Sequence, residues 1–324
     1  MRRGAEAGAR NAAAPRLALY PAPGEGYAGG TGAYHEMSCF MRNNPSKKST
    51  LALVRVLEQA RYEVLPTPTT EEKVLTHLPR DRVVTVTASP GKGLEATIDL
   101  AERLAGHGYT VVPHLAARMI AGRTELAELC ERLTGKGISR VFVPGGDAEP
   151  AGDYPDALSL LEDLTALGRP FAQVGITGYP ESHPTINDDL TVQSMWDKRR
   201  HATHVVSNLT FDPAVVRGWI RRMRDRGITM PLLLGIPGPV ERTKLLAMAT
   251  RIGVGESTRF LAKHKGTLAR LAAPGGFTGE KFLEQCGPAL AMPDAFVEGL
   301  HVFTFNQIAE TEAWRTDLLD RLRG

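Results

Sequence analysis

Glu63, His114, Asp147, Glu181 and His183 are the side chains best placed for acid/base chemistry, because each falls at or just past the end of a short β-branched or apolar run. Thr87, Tyr179, Asn208 and Asn306 close further runs of the same kind. Carboxylates and imidazoles gathered at such ends can exchange protons near neutral pH once burial or a neighbour shifts their pKa. Their spacing is not that of a metal site, so the pattern points to an organic substrate handled by proton transfer. Each also has a purely structural reading. Glu63 suits a rim salt bridge, Asp147 an Asx-type turn after two glycines, and His114 a satisfied core histidine.

The elements that must position these groups recur in a rhythm. The runs are RYEVLP (61–66), RVVTVTA (82–88), YTVVPHL (109–115), SRVFVPG (139–145), FAQVGITGY (171–179), THVVSNL (203–209), PLLLGIP (231–237) and LHVFTFN (300–306). Amphipathic stretches such as LEATIDLAERLAGHG lie between most of them, with Gly106, Gly108, Gly135 and Gly137 where helix C-caps belong. Strands alternating with helices imply parallel βαβ units. Eight near-continuous apolar strands fit a (β/α)8 TIM barrel, whose chemistry sits at the strand C-termini. A doubly wound open sheet would want a glycine-rich turn after its first strand, and here that turn reads PTPTTEE. Residues 1–33, rich in Ala, Gly and Pro, read as a flexible tail. Residues 34–60 hold an N-terminal capping helix with a Ser/Thr start, and 61–324 form the barrel.

The bulk properties exclude several classes. The 324 residues are 42% apolar and 23% charged with a net charge of +3, as in an ordinary soluble protein. The densest basic cluster, Arg217–Arg226, has helical periodicity and reads as a solvated face, so no nucleic-acid partner is expected. Cys39, Cys130 and Cys286 form neither a zinc spacing nor a disulfide framework, which suits a reducing cytoplasm. No apolar run approaches the ~18 residues of a membrane span. No apolar segment follows Arg2 and Arg3 as a secretory leader would require.

The strand-end motifs, in order, resemble the methylenetetrahydrofolate reductase family. ITGYPESHP (176–184) is similar to its Tyr-Pro-Glu-x-His-Pro motif. YEVLPT, the VTA and PHL strand ends, GISRVFVPGGD, SNLTFD, LLLGIPGPV and LHVFTFN follow the family's order from residue 61 to about 310. The resemblance implies reduction of 5,10-methylenetetrahydrofolate to 5-methyltetrahydrofolate by an NADH or NADPH hydride, in one-carbon metabolism and methionine biosynthesis. It makes Glu63 the general acid and Asp147 the carboxylate that stabilises a cationic folate iminium. Asn208, where the family carries glutamine, and Glu181 join Asp147 in binding the tetrahydrofolate substrate. Thr87, His114, Tyr154, Tyr179 and His183 match positions lining the flavin pocket of members that hold FAD, with Gly145, Gly146 and Lys198 completing the cofactor set.

Three departures bear on that flavin. Gly145 stands where the family's Arg-Gly-Asp carries arginine, the segment after the histidine motif lacks the usual Lys-x-x-x-Gly-Ala ending, and that segment runs one residue short. A lost charge-assisted contact costs roughly 1.5–3 kcal/mol. The expectation is therefore an enzyme in which NAD(P)H takes the site and reduces the folate directly, with FAD doubtful and no obligate protein partner. Two alternatives remain open: a folate-dependent methyltransferase barrel and a non-catalytic folate- or flavin-binding relative.

Overall fold

The computed structural model describes residues 46–180, 188–240 and 279–324, all within a compact unit spanning Asn44–Gly324. Helix α1 (Lys47–Glu58) starts where the Ser46 hydroxyl accepts from the Ser49 amide at 3.2 Å. Then β1 (Arg61–Val64), α2 (Thr70–His77), β2 (Val83–Val86), α3 (Gly93–Gly106), β3 (Thr110–Pro113), α4 (Arg123–Gly135) and β4 (Arg140–Val143) alternate. They are followed by α5 (Ala157–Ala166), β5 (Gln173–Gly178), α6 (Asp188–Lys198), β6 (His204–Ser207), α7 (Pro213–Asp225) and β7 (Leu232–Pro237). Finally come α8 (Gly279–Leu290), β8 (Val297–Phe303) and α9 (Ile308–Arg323).

Local chemistry fixes the helix ends. Asp156 accepts from the Leu158 and Ser159 amides to start α5, and Asp212 accepts from Ala214 with Pro213 at the first turn of α7. Of the four glycines expected as C-caps, Gly108 and Gly137 adopt positive φ of 86° and 75° just past α3 and α4. Gly106 and Gly135 are instead the last helical residues. The basic stretch lies on α7, where Arg217, Arg221 and Arg222 are exposed. Arg224 turns back to the Ala295, Ile228 and Met230 carbonyls, and Arg226 pairs with Asp189.

All eight strands are parallel and neighbour one another in the order β3-β2-β1-β8-β7-β6-β5-β4. The remaining seam, between β3 and β4, closes at its upper end. There His114 bridges Phe142, and the Leu115 amide donates to the Phe142 carbonyl at 2.8 Å. The result is a TIM barrel, with β8 beginning three residues earlier than its apolar run because Val297 pairs with Leu232 across a bulge. Outward positions such as Tyr62, Val64, Ile176 and Val302 join the large core between sheet and helices. Each fully buried side chain there contributes roughly 1.5–3 kcal/mol. Val112, Phe142, Val206 and Leu233 form a separate apolar cluster inside the barrel.

Because strands tilt, alternate strands fill one interior layer. The registers put Glu63, His114, Thr177 and Gly235 in a layer from β1, the end of β3, β5 and β7. Thr85, Phe142, Val206 and His301 lie beneath it, and Thr87, Pro144, Asn208 and Phe303 above. Among the described residues no helix is long and apolar enough to cross a membrane.

Candidate active site

Glu63 ends β1 with its side chain turned into the barrel and only 15% exposed. Its Oε2 lies 2.8 Å from Nε2 of His301, which β8 brings alongside and which is 2% exposed. The Glu63 backbone is held as well. Its carbonyl accepts from the Thr304 hydroxyl at 2.6 Å and from the Thr304 amide at 3.3 Å. Two residues on, Leu65 is gripped through both amide and carbonyl by the Asn306 side chain. Asn306, a polar strand end in the sequence, is a latch between the β8–α9 and β1–α2 connections, with φ at 61°.

His114 stands on the other side of Glu63, its Nε2 3.7 Å from the same carboxylate oxygen. Burial pushes its pKa down to about 4, against the pull of the Glu63 charge, with His301 adding to the fall. It is neutral at pH 7, so the 3.7 Å approach is neither an ion pair nor a hydrogen bond. Its ring packs on Phe142 at 4.7 Å between centroids, and His301 meets the Phe303 ring edge-on at 4.9 Å. Four buried polar atoms here have no hydrogen-bond partner: the hydroxyls of Thr85, Thr87 and Thr177, and His114 Nε2. A native core pairs nearly all such atoms, so a cluster of orphans marks a place prepared for a ligand or water.

The other expected residues are distributed as follows. Gly145 and Gly146 form the turn after β4. The Gly145 carbonyl accepts from the Arg118 amide at 3.1 Å, and Gly146 has φ 87° with Ala116 against it. Asp147 is exposed, and its charge, after burial, helps raise the Tyr179 phenol. Asn208 closes β6, where its Oδ1 accepts from the Leu209 amide at 2.8 Å. Tyr154 is packed in the outer core, its hydroxyl donating to Asp163 on α5 at 2.8 Å. Lys198 ends α6, its pKa lowered by burial while Asp156 and Asp197 oppose the shift. Glu181 and His183 lie outside the described residues. The structure thus gathers Glu63, Thr87 and His114 tightly, brings Asp147 towards Tyr179, and leaves Tyr154 engaged elsewhere.

Sequence reading missed His301, Thr85 and Thr177. A histidine inside LHVFTFN looks like one more residue of an apolar strand, and threonine is a good strand former on its own account. The available signal was parity, since His301 and Phe303 share one face and the registers place that face beside Glu63. Deeper still, Arg61 spans the barrel to His204 Nε2 at 3.1 Å and Gln173 at 3.2 Å. Burial and the Arg61 charge hold His204 at about 3. Among the described residues no group of three or more His, Cys, Asp or Glu could hold a metal ion.

The model of the methylenetetrahydrofolate reductase family matches residues 72–313. The chain belongs to that family. Membership makes it an oxidoreductase of folate-related reduction. The matched span opens nine residues after Glu63. Among solved structures, two crystal forms of 2,3-dimethylmalate lyase, a PEP mutase/isocitrate lyase superfamily member, align with TM-scores of 0.46 and 0.47 at 11% and 13% identity. They cover 85% of this chain and 87% and 84% of theirs. A lyase/mutase from Burkholderia cenocepacia J2315 aligns at 0.45 and 12%, covering 84% and 87%. Likeness at this level says nothing of the site.

Proposed function

We propose that this enzyme reduces the methylene bridge of 5,10-methylenetetrahydrofolate to a methyl group with a hydride from NADH or NADPH, without a resident flavin. The observation that carries the reading is a single carboxylate, Glu63, held inside the barrel mouth by His301 beside unpartnered hydroxyls and a neutral imidazole. Glu63 supplies the proton that opens the methylene bridge, and His301 fixes the carboxyl that carries it. Asp147, exposed on the turn after β4, offers the negative charge that favours a cationic folate, with Asn208 and Glu181 as further substrate contacts. The bound nicotinamide would supply the hydride, held by Thr87, His114, Tyr179 and the glycine turn, with His183 and Lys198 towards the rest of the dinucleotide.

The residues fit a flavin less well. At Gly145, where the resembling family carries arginine, an added Cβ would meet only the Ala157 amide nitrogen, at 4.0 Å. Gly145 itself brings no cationic side chain there, and the neighbouring Arg118 guanidinium is turned to the Pro155 carbonyl. The test is the absorption spectrum of freshly purified protein, then NADH oxidation with methylene-folate and no added flavin. Turnover by colourless protein is the expected result. Flavin near one per chain, or activity that appears only with FAD, overturns the flavin-free mechanism. Methyl transfer to a thiol or corrinoid without nicotinamide oxidation would point to the methyltransferase alternative.

A further inference from the structure

Inside the barrel the orphaned polar atoms sit at graded depth. Thr177 and His114 share the Glu63 layer, Thr85 lies one layer below and Thr87 one above. Thr85 is 2% exposed and His114 7%, so bulk solvent does not serve them. The Thr177 hydroxyl has no partner of good hydrogen-bond geometry, although its side chain approaches Tyr179 closely enough to lower that phenol's pKa against the larger effect of burial. The floor beneath is apolar: Phe142 with Val112, Val206 and Leu233. Gly235 contributes no side chain to this layer, and a Cβ there would strike the Ser207 carbonyl oxygen at 2.1 Å and the Phe303 ring at 3.0 Å.

We propose that the Thr85 and Thr177 hydroxyls, with His114 Nε2, form a recognition subsite for a neutral carboxamide, the exocyclic amide of the nicotinamide ring. The chemistry matches group by group. A carboxamide offers one carbonyl acceptor and two N–H donors, threonine hydroxyls donate or accept by rotation, and a neutral imidazole nitrogen does one or the other. A carboxylate would face Glu63 across a few ångströms of low-dielectric interior. A cation would be drawn to Glu63 itself, 3.7 Å from His114 Nε2, and would leave the two threonine hydroxyls without the donors and acceptors that an amide brings. The fused pterin bears an amide too, but Asp147 and Asn208 wait for it nearer the rim. Aromatic rings flank these groups on both levels, Phe142 and His301 in the Thr85 layer and Phe303 in the Thr87 layer, as a planar ring carrying an amide would require.

This subsite rests on the nicotinamide-donor reading, and the experiment separates the two. The full chain is titrated with NADH, with the 3-acetylpyridine analogue of NADH and with 5-methyltetrahydrofolate, each followed by fluorescence without turnover. Wild type is compared with Thr85→Val, Thr177→Val and Thr85→Ser, all checked by thermal melt. Losing one neutral hydrogen bond should raise the NADH Kd about 5- to 10-fold in each valine variant. Serine should restore it, and the acetyl analogue, lacking the amide N–H donors, should respond less. The folate Kd should not move. Valine variants that bind NADH like wild type would reduce the subsite to buried water, and a shift in folate Kd instead would assign it to the pterin. A wild-type protein that binds no dinucleotide would sink the nicotinamide reading itself.

Discussion

Glu63→Gln separates the acid's chemistry from its place in the structure. The amide is nearly isosteric, and its oxygen can accept from His301 Nε2–H as the carboxylate does at 2.8 Å. The backbone bonds from Thr304 to the Glu63 carbonyl are untouched. A hydrogen bond to a charged group is worth roughly 1.5–3 kcal/mol and a neutral one roughly 0.5–1.5. The net loss is about 1 kcal/mol, lessened because an amide is cheaper to bury than a carboxylate. In a barrel of this size that corresponds to a Tm shift of about 3 °C or less. The proton, in contrast, cannot be supplied. General acid catalysis contributes roughly 10²–10⁴-fold, so kcat/KM should fall by that factor, or about 2.7–5.5 kcal/mol of barrier. The assay is NADH oxidation with methylene-folate, run beside a thermal melt and an NADH titration. A folded variant with near-normal turnover refutes the assignment, and a collapsed melt would show that Glu63 serves the fold first.

Acid should weaken the fold through two histidines. His114 and His204 titrate at about 4 and about 3 in the folded state against 6.5 unfolded, so the unfolded chain takes up protons first. Their contribution is complete above about pH 6.5 and is lost as pH falls towards 3, and His204→Gln should flatten that limb by several kcal/mol in denaturant titrations. Gly145→Arg should melt within about 2 °C of wild type, because open space surrounds its Cβ, and its spectrum should stay free of flavin. Gly235→Ala should cost about 1–3 kcal/mol or more, since its methyl would overlap a backbone carbonyl at 2.1 Å; a melt unchanged from wild type would contradict the interior layering.

What could be read from the residues was the part governed by local pattern. All eight strands announce themselves as β-branched or apolar runs, and Ser46, Asp156 and Asp212 mark helix starts through short-range bonds. Glu63 and His114 were visible because a polar residue at the end of such a run is costly without a purpose. His301 was hidden because a strand buried on both faces has no alternation to tell barrel interior from helix side. Tyr154 looked like a pocket residue, yet its hydroxyl is satisfied by Asp163, a partner that only the packing of α5 supplies. Residues whose role depends on register across the sheet, such as Thr85 and Thr177, could not be told from ordinary strand formers.

The latch between Asn306, Thr304 and the first strand has a consequence for how the enzyme comes into being. Glu63 is made early, but its partner His301 lies 238 positions later and the Thr304 clamp 241. During synthesis the strand bearing the acid is an unpaired edge until the eighth strand leaves the ribosome and slides in beside it. Contacts of such long sequence separation form slowly, because the loop must close before they reward it. A chain cut short before β8 therefore lacks both His301 and the Thr304 clamp beside Glu63. Ring closure and the setting of the Glu63 carboxyl are thus one event, and a cut between α8 and β8 would part Glu63 from both of its holders while leaving the seven earlier strands continuous.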